Sequence, residues 1–345
     1  MDDLFALPAE ELEKRIIELG YPKFHAKQLR KWLAQGCRNY AEMTNLPLQL
    51  RQILSEQYPL YEPKLLRKQV SQDDGTEKFL WELKDGNSVE TVFMRYRYGN
   101  SVCISSQVGC RQGCAFCAST IGGLIRSLSP IEMYDEVIFS EREAKENISN
   151  IVLMGIGEPL DNIDNLIDFL YLISRDDTRN IGLRHITVST CGLPEQMEQL
   201  AAEKMPITLS VSLHAPDDET RSRIMPSNRG IETVIRACEH YVHVTGRRIS
   251  FEYALISGVN DSLEQAHLLS RHAKRVGAHI NLIPLNYVQE RGLIASPPSQ
   301  IKAFQGVLVK NGVNVTVRRR LGSDIDASCG QLRRKYQTGN KELEL

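Results

Sequence analysis

Between residues 101 and 285 the chain alternates short β-branched or apolar runs with longer amphipathic ones. No other feature limits the possible folds as strongly. The short runs are SVCISSQV (101–108), NIVLMG (150–155), RHITVST (184–190), ITLSVSLH (207–214), ISFEYALI (249–256) and HINLIPL (279–285). Between them lie IEMYDEVIFSEREAK, NLIDFLYLIS, PEQMEQLAAE, IETVIRACEHYVHV and SLEQAHLLSRHAKRVG, with apolar residues at helical spacing. Strands alternating with helices predict an α/β protein with a parallel sheet covered by helices. Six strands are too few for the closed eight-stranded barrel, so a partial (β/α)6 barrel is expected over 99–300. Residues 1–62 read as a small N-terminal helical domain, with runs stopping at Gly20 and Gly36. Residues 63–98 carry the turn signals DDG and KDGN between alternating runs and read as an antiparallel β extension. A last helix, a strand (NVTVRR) and a segment around Cys329 occupy 301–345.

The chain has eight cysteines. Its N-terminus, MDDLFALPAEELEKR, carries acids too early for a secretory or transit peptide, and no apolar run approaches the ~20 residues of a membrane helix. A soluble, cytoplasmic protein without membrane association is expected. Thiols stay reduced there, so these cysteines point to metal binding or catalysis. Cys110, Cys114 and Cys117 form C-x3-C-x2-C just after the first strand, and sites in such folds collect at the carboxyl ends of the strands. Three thiolates can hold three irons of a [4Fe–4S] cube and leave the fourth open to a substrate. The competing reading is a structural zinc with a distant fourth ligand, in a non-catalytic RNA-binding module. Zinc knuckles usually show two C-x2-C pairs, and this stretch has one.

C-x3-C-x2-C after the first strand of a partial barrel resembles the radical S-adenosylmethionine (SAM) superfamily. MGIGEP (154–159) resembles its glycine–glutamate stretch after the second strand. That resemblance implies a [4Fe–4S] cluster held by Cys110, Cys114 and Cys117, with Gly157 and Glu158 against the SAM amino group. Longer stretches carry a narrower likeness: YPKFHAKQLRKWL, VETVFMRYRYGNSVCISSQVGC, SLHAP, GVNDS, NLIPLN and DIDASCGQL. They resemble the RlmN/Cfr family of radical SAM adenine methyltransferases, most of all the RlmN branch with dual specificity for 23S rRNA and tRNA. The likeness implies two SAM molecules per turnover and methylation of adenine C2. An electron-poor sp² carbon cannot attack a methyl sulfonium, whereas a thiolate can. Cys329 is thus implied to take a methyl group from one SAM. A radical from the second SAM removes a hydrogen from it, and the resulting carbon radical adds to the base. Cys103 then forms a disulfide with Cys329 as the product leaves. The resemblance further implies a proton acceptor at Glu90 and SAM contacts by Ser189, Ser212, Leu213, His214 and Asn286. An electron donor such as flavodoxin and a monomeric state belong to the same expectation. The same chemistry at adenine C8, as in the Cfr branch, is the nearest alternative. One departure stands out: STCGLPEQ is one residue shorter than the family pattern and has Cys191 in its third place. Cys37, Cys191 and Cys238 receive no role.

Net charge is −1, so RNA contact must come from local patches. Residues 301–345 hold nine Lys or Arg against four Asp or Glu. VRRRLG and LRRKYQ bracket Cys329 and suit phosphate contacts. Arg95 and Arg97 interleave with Tyr96 and Tyr98, a pattern for stacking and phosphate binding. Lys27, Arg30, Lys31 and Arg38 are a further expected grip on folded RNA.

Overall fold

A computed structural model of the protein describes residues 4–286, 291–319, 321, 322, 324 and 325. The chain opens with three helices, α1 (Ala9–Glu18), α2 (Phe24–Ala34) and α3 (Leu48–Gln57). An antiparallel meander follows, β1 (Lys64–Val70), β2 (Glu77–Glu82) and β3 (Ser88–Met94). The strand–helix alternation then runs β4 (Ser101–Cys103), β5 (Gln107–Gly109), β6 (Leu124–Ser127), α4 (Pro130–Ala144), β7 (Asn150–Leu153), α5 (Ile163–Ser174), β8 (Ile186–Thr190) and α6 (Pro194–Ala202). It continues β9 (Thr208–Ser212), α7 (Asp218–Ile224), α8 (Ile231–Thr245), β10 (Ser250–Leu255), α9 (Leu263–Val276), β11 (His279–Pro284), α10 (Pro298–Lys310) and β12 (Val315–Val317).

Among the described residues, ten strands form one sheet in the order β1-β2-β3-β4-β7-β8-β9-β10-β11-β12. Neighbours from β4 through β12 are parallel, and β1 is not paired with β12, so the barrel stays open. Helices cover the parallel strands, which explains why β10 buries five of its six residues. Local signals start the helices where they are needed. Ser129 and Glu132 close a reciprocal capping box on α4, as Ser262 and Gln265 do on α9. Each cap contributes about 1 kcal/mol. Pro130, Pro194 and Pro298 open α4, α6 and α10, where their missing N–H costs nothing.

The antiparallel strands of residues 63–98 join the barrel sheet, because β3 pairs antiparallel with β4. Two expectations need correction. SVCISSQV is not one strand. The chain leaves the sheet after Cys103, since the Ser105 N–H donates to the Glu136 carboxylate at 2.9 Å and the Ser106 and Gln107 N–H groups donate to the Ile156 carbonyl. Residues 107–109 then pair with β6 in a separate hairpin. Finally, Arg30 and Arg38 do not face RNA. Arg30 is 2 % exposed and bonds the Leu7 carbonyl and Asp177, while Arg38 pairs with buried Asp135 on α4. Both lie on faces that dock the helical unit onto the barrel, helped by the Tyr134 hydroxyl donating to the Ala34 carbonyl at 2.9 Å. Lys27 and Lys31 remain exposed.

Glu136 braces the loop after β4 with one oxygen, while its other oxygen is buried without a partner among the described residues. Burial raises its proton affinity well above the ordinary 4.5. The folded state then holds a proton that the unfolded state releases, so this group's contribution is lost as pH rises through the folded value. Glu136→Gln keeps the acceptor and removes the titration. Thermal melts should show it equal to wild type near pH 4 and more stable by about 2 °C or more at pH 8. An unchanged difference across that range would refute the assignment.

Candidate active site

The carboxyl ends of the parallel strands surround a cavity of about 280 Å³. The β4–α4 loop brings Cys110, Cys114 and Cys117 to its wall. That loop is braced from two sides. The Ala115 N–H donates to the Ile224 carbonyl at the end of α7, and the Arg291 guanidinium donates to the Cys117 carbonyl and Thr120 hydroxyl. Burial pushes the Cys110 thiol up to about 12 and Cys114 higher still, and each thiolate would oppose its neighbours. Cationic iron reverses that preference by binding the deprotonated form. No three His, Cys, Asp or Glu side chains among the described residues group around a single metal ion. Three thiols on one cavity wall, facing open space, fit a cluster with one corner left for a ligand better than one zinc.

The turn after β7 crosses close beneath. A Cβ on Gly155 would lie 2.5 Å from the Ile104 carbonyl oxygen, and one on Gly157 would lie 2.7 Å from Gln107 Cβ. Gly157 also has φ +113. Only glycine lets this turn pass under the loop after β4. The turn aims Glu158 into the cavity wall, fully desolvated. Its carboxylate accepts the Leu160 N–H at 3.0 Å and the Cys191 N–H at 2.7 Å. Burial raises its proton affinity and those amides partly restore the anion. Cys191 thus acts through its backbone, and its thiol is buried beside the site.

Ser189 and Ser212 come from adjacent strands, with their hydroxyls 3.4 Å apart on the cavity wall. His214 lines the same wall with φ +55, a left-handed backbone. Its Nδ1 accepts the Ala254 N–H at 2.9 Å, which places the ring proton on Nε2. Burial pushes its ring down to about 3, so it is a neutral donor at physiological pH. Asn286 lines the cavity. Leu213 does not: its side chain is fully buried in the core, and only its backbone serves the site.

A second cavity of about 220 Å³ adjoins the first and shares Met154, Asn286 and Arg318 with it. Glu90, Val92 and Met94 line it from one face of β3, and Cys103 lies opposite Val92 on β4. Cys103 is a free thiol, pushed up to about 11 by burial, with the Arg318 guanidinium pulling the other way. Tyr96 also lines this cavity and stacks on exposed Tyr98, with centroids 5.0 Å apart and planes 10° from parallel. Arg95 is already engaged by Glu77 and Glu146 and does not extend the expected phosphate surface. Cys329 lies outside the described residues.

Sequence reading missed Arg221 and Glu252. Arg221 is 1 % exposed, and its guanidinium donates to the carbonyls of Cys191, Ser212 and Leu213. It staples the ends of β8 and β9 together. Glu252 on β10 accepts from Ser210 and Asn281, and its second oxygen is buried on the cavity wall without a partner among the described residues. That oxygen suits a hydroxyl donor such as a ribose. The signal for Glu252 was a charge within the apolar run ISFEYALI, whereas Arg221 sits in the polar stretch DDETRSR and gave none.

Comparison with known proteins places this geometry. Residues 2–59 match the ribosomal RNA large subunit methyltransferase N-terminal domain, and 104–269 match the radical SAM superfamily. A dual-specificity RNA methyltransferase RlmN of Desulforamulus reducens is 52 % identical over 97 % of this chain and 96 % of its own. The chain belongs to the RlmN family. An RlmN relative from Lachnoclostridium phytofermentans is 50 % identical over 97 % of this chain and 95 % of its own. A crystal structure of a radical SAM methyltransferase from Sphaerobacter thermophilus superposes with TM-score 0.90 at 40 % identity, covering 96 % of this chain and 99 % of that one. The protein is therefore a SAM-dependent RNA methyltransferase that uses a [4Fe–4S] cluster and, as a family property, two SAM per turnover. Among the described residues, no helix is long and apolar enough to cross a membrane.

Proposed function

We propose that this RlmN-family enzyme methylates C2 of an adenosine in 23S rRNA and in tRNA, through a methyl group carried on Cys329. The observation that carries the reading is the junction of two cavities, one walled by the three thiols and the other by Glu90 and Cys103. Cys110, Cys114 and Cys117 would hold the cluster, while Glu158, His214, Ser189 and Glu252 offer polar partners for SAM. When bound, these groups supply the one-electron chemistry that takes a hydrogen atom from an unactivated carbon. The rest falls to the chain. The Cys329 thiolate accepts the methyl group by displacement. Once adenine is joined to it through a methylene, Glu90 takes the C2 proton, and the one unpaired electron left on the ring would return to the one-electron carrier held by the three thiols. The Cys103 thiolate then attacks the Cys329 sulfur: the S–S bond forms, the C–S bond breaks, and the released electron pair on carbon is protonated to give the methyl group. Thiol reductants restore both cysteines. An electron donor such as flavodoxin, a monomeric enzyme and a cytoplasmic location complete the reading.

Anaerobic reconstitution with iron and sulfide, followed by mass mapping of nucleosides from an rRNA fragment and a tRNA, tests it. The expected products are 2-methyladenosine and 5′-deoxyadenosine. 8-Methyladenosine would move the enzyme to the Cfr-like chemistry, and a reconstituted brown protein that forms neither would sink the proposal. Cys110→Ala, Cys114→Ala and Cys117→Ala should each be colourless and lose 5′-deoxyadenosine formation to background.

A further inference from the structure

Lys78 on β2 is completely buried, and its Nζ lies 2.8 Å from Glu90 Oε2, which is itself 2 % exposed. The hairpin register explains the meeting. Lys78 pairs with Val92 and Leu80 with Glu90, so Lys78 and Glu90 are diagonal neighbours on one face of β2–β3. Val92 and Met94 on that face line the second cavity, as Glu90 does, and Lys78 stands behind them. A buried ion pair is poor value as a structural device, because apolar residues of similar size stabilise as well or better. Its position on the wall shared with Cys103 suggests another use.

We infer that Lys78 is a positioning residue for proton transfer: it holds Glu90 as a carboxylate, with its oxygen aimed into the cavity that receives the target base. The inference rests on the proposed role of Glu90 as the base. The step is a simple transfer. The C2–H bond breaks, its electron pair stays with the ring, and an O–H bond forms on Glu90. Without the ammonium, the carboxylate would lose its buried counter-charge at 2.8 Å, and its orientation toward the base would be released. Among the described residues, the other titratable groups lining this pocket are Cys103 on β4 and Tyr96 beyond β3, which carry no positive charge, Arg318, which is directed at Met154 Sδ at 3.6 Å, and Arg319, which is exposed, whereas Lys78 is buried against the Glu90 carboxylate.

The test compares Lys78→Met, Lys78→Arg and Glu90→Gln in the reconstituted enzyme, with RNA carrying protium or deuterium at adenosine C2. Lys78→Met should slow methylation about 100-fold, while a methyl group still loads on Cys329 by mass and 5′-deoxyadenosine still forms. Its deuterium isotope effect should exceed that of wild type, because C2–H removal has become limiting. Lys78→Arg should recover most of the rate. An isotope effect that does not rise, or a loss that arginine does not rescue, overturns the inference. Should Lys78→Met fail to fold, Lys78→Gln removes the charge, keeps an N–H for Glu90, and gives the same readout. Glu90→Gln separates the two ideas. If it runs at the wild-type rate, the base assignment fails. If it is slow while Lys78→Met is not, only the role of Lys78 fails.

Discussion

Cys103→Ala should stop after a single event, with the RNA left covalently attached to the protein. Cys103 is the free thiol on the wall shared by Glu90, one strand from it and beside the cavity walled by Cys110, Cys114 and Cys117. In the proposed sequence it alone releases the methylated base from Cys329. Alanine removes the nucleophile and barely changes packing, since the residue is only half-buried. Catalytic turnover should fall by about 10³-fold or more, and a denaturing gel should show a protein–RNA band of up to one RNA per chain. Hydrolysing the RNA and mapping the remnant by mass should place an adenine adduct on Cys329. The adduct needs Cys329 and an intact cluster loop, so Cys103→Ala/Cys329→Ala and Cys103→Ala/Cys114→Ala should both lack the band. Wild-type turnover in Cys103→Ala would remove this residue from the chemistry and with it the disulfide step. The raised wild-type thiol also predicts that the release step speeds up as pH rises. It is pushed up to about 11, so its thiolate fraction grows about tenfold per pH unit below that value. Alkylation of Cys103 by iodoacetamide should rise with pH accordingly.

Arg221→Leu should lose SAM binding and stability together, although Arg221 is not on any motif that identifies the family. Its guanidinium is buried, and it supplies hydrogen bonds to three carbonyls at the ends of β8 and β9. Leucine removes all three bonds in a dry place, although the Leu213 carbonyl keeps the Ala215 N–H at 2.7 Å. Two acceptors at about 1–3 kcal/mol each put the cost at about 2 kcal/mol or more, and the melting temperature should fall by about 4 °C or more. The loops so freed carry the Cys191 N–H that holds Glu158 and the backbone before His214, so SAM affinity should drop about tenfold or more at temperatures where the protein is still folded. Lysine cannot serve three carbonyls in one plane and should recover little. Unchanged melting and unchanged SAM affinity would show that the loops hold themselves.

The division between what could be read from the residues and what could not follows from the range of the forces involved. Hydrophobic period is local, so the six strands, their helices and the N-terminal helices were legible from runs of ten or so residues. The cluster loop was legible because its three thiols are close in sequence, and Gly155 and Gly157 because their turn follows a recognisable strand. Glu90, Cys103 and Cys329 were reached only through resemblance, and the structure gives the first two a common wall while leaving the third undescribed. The break after Cys103 was invisible, since it depends on a hydrogen bond from Ser105 to Glu136, 31 residues away. Arg30 and Arg38 read as surface cations for the same reason. Arg38 meets Asp135 across 97 residues, and nothing in the loop that carries it announces that partner.

By itself, then, the sequence determined a helix-covered parallel sheet and the place on it where three thiols gather, because periodicity and close spacing are properties of neighbouring residues. The tertiary structure alone decided which charges are buried and paired: Lys78 against Glu90, Arg221 beneath the loop ends, Arg38 against Asp135. A charge loses water only when distant segments close over it, and its partner is whichever group that closure brings within reach.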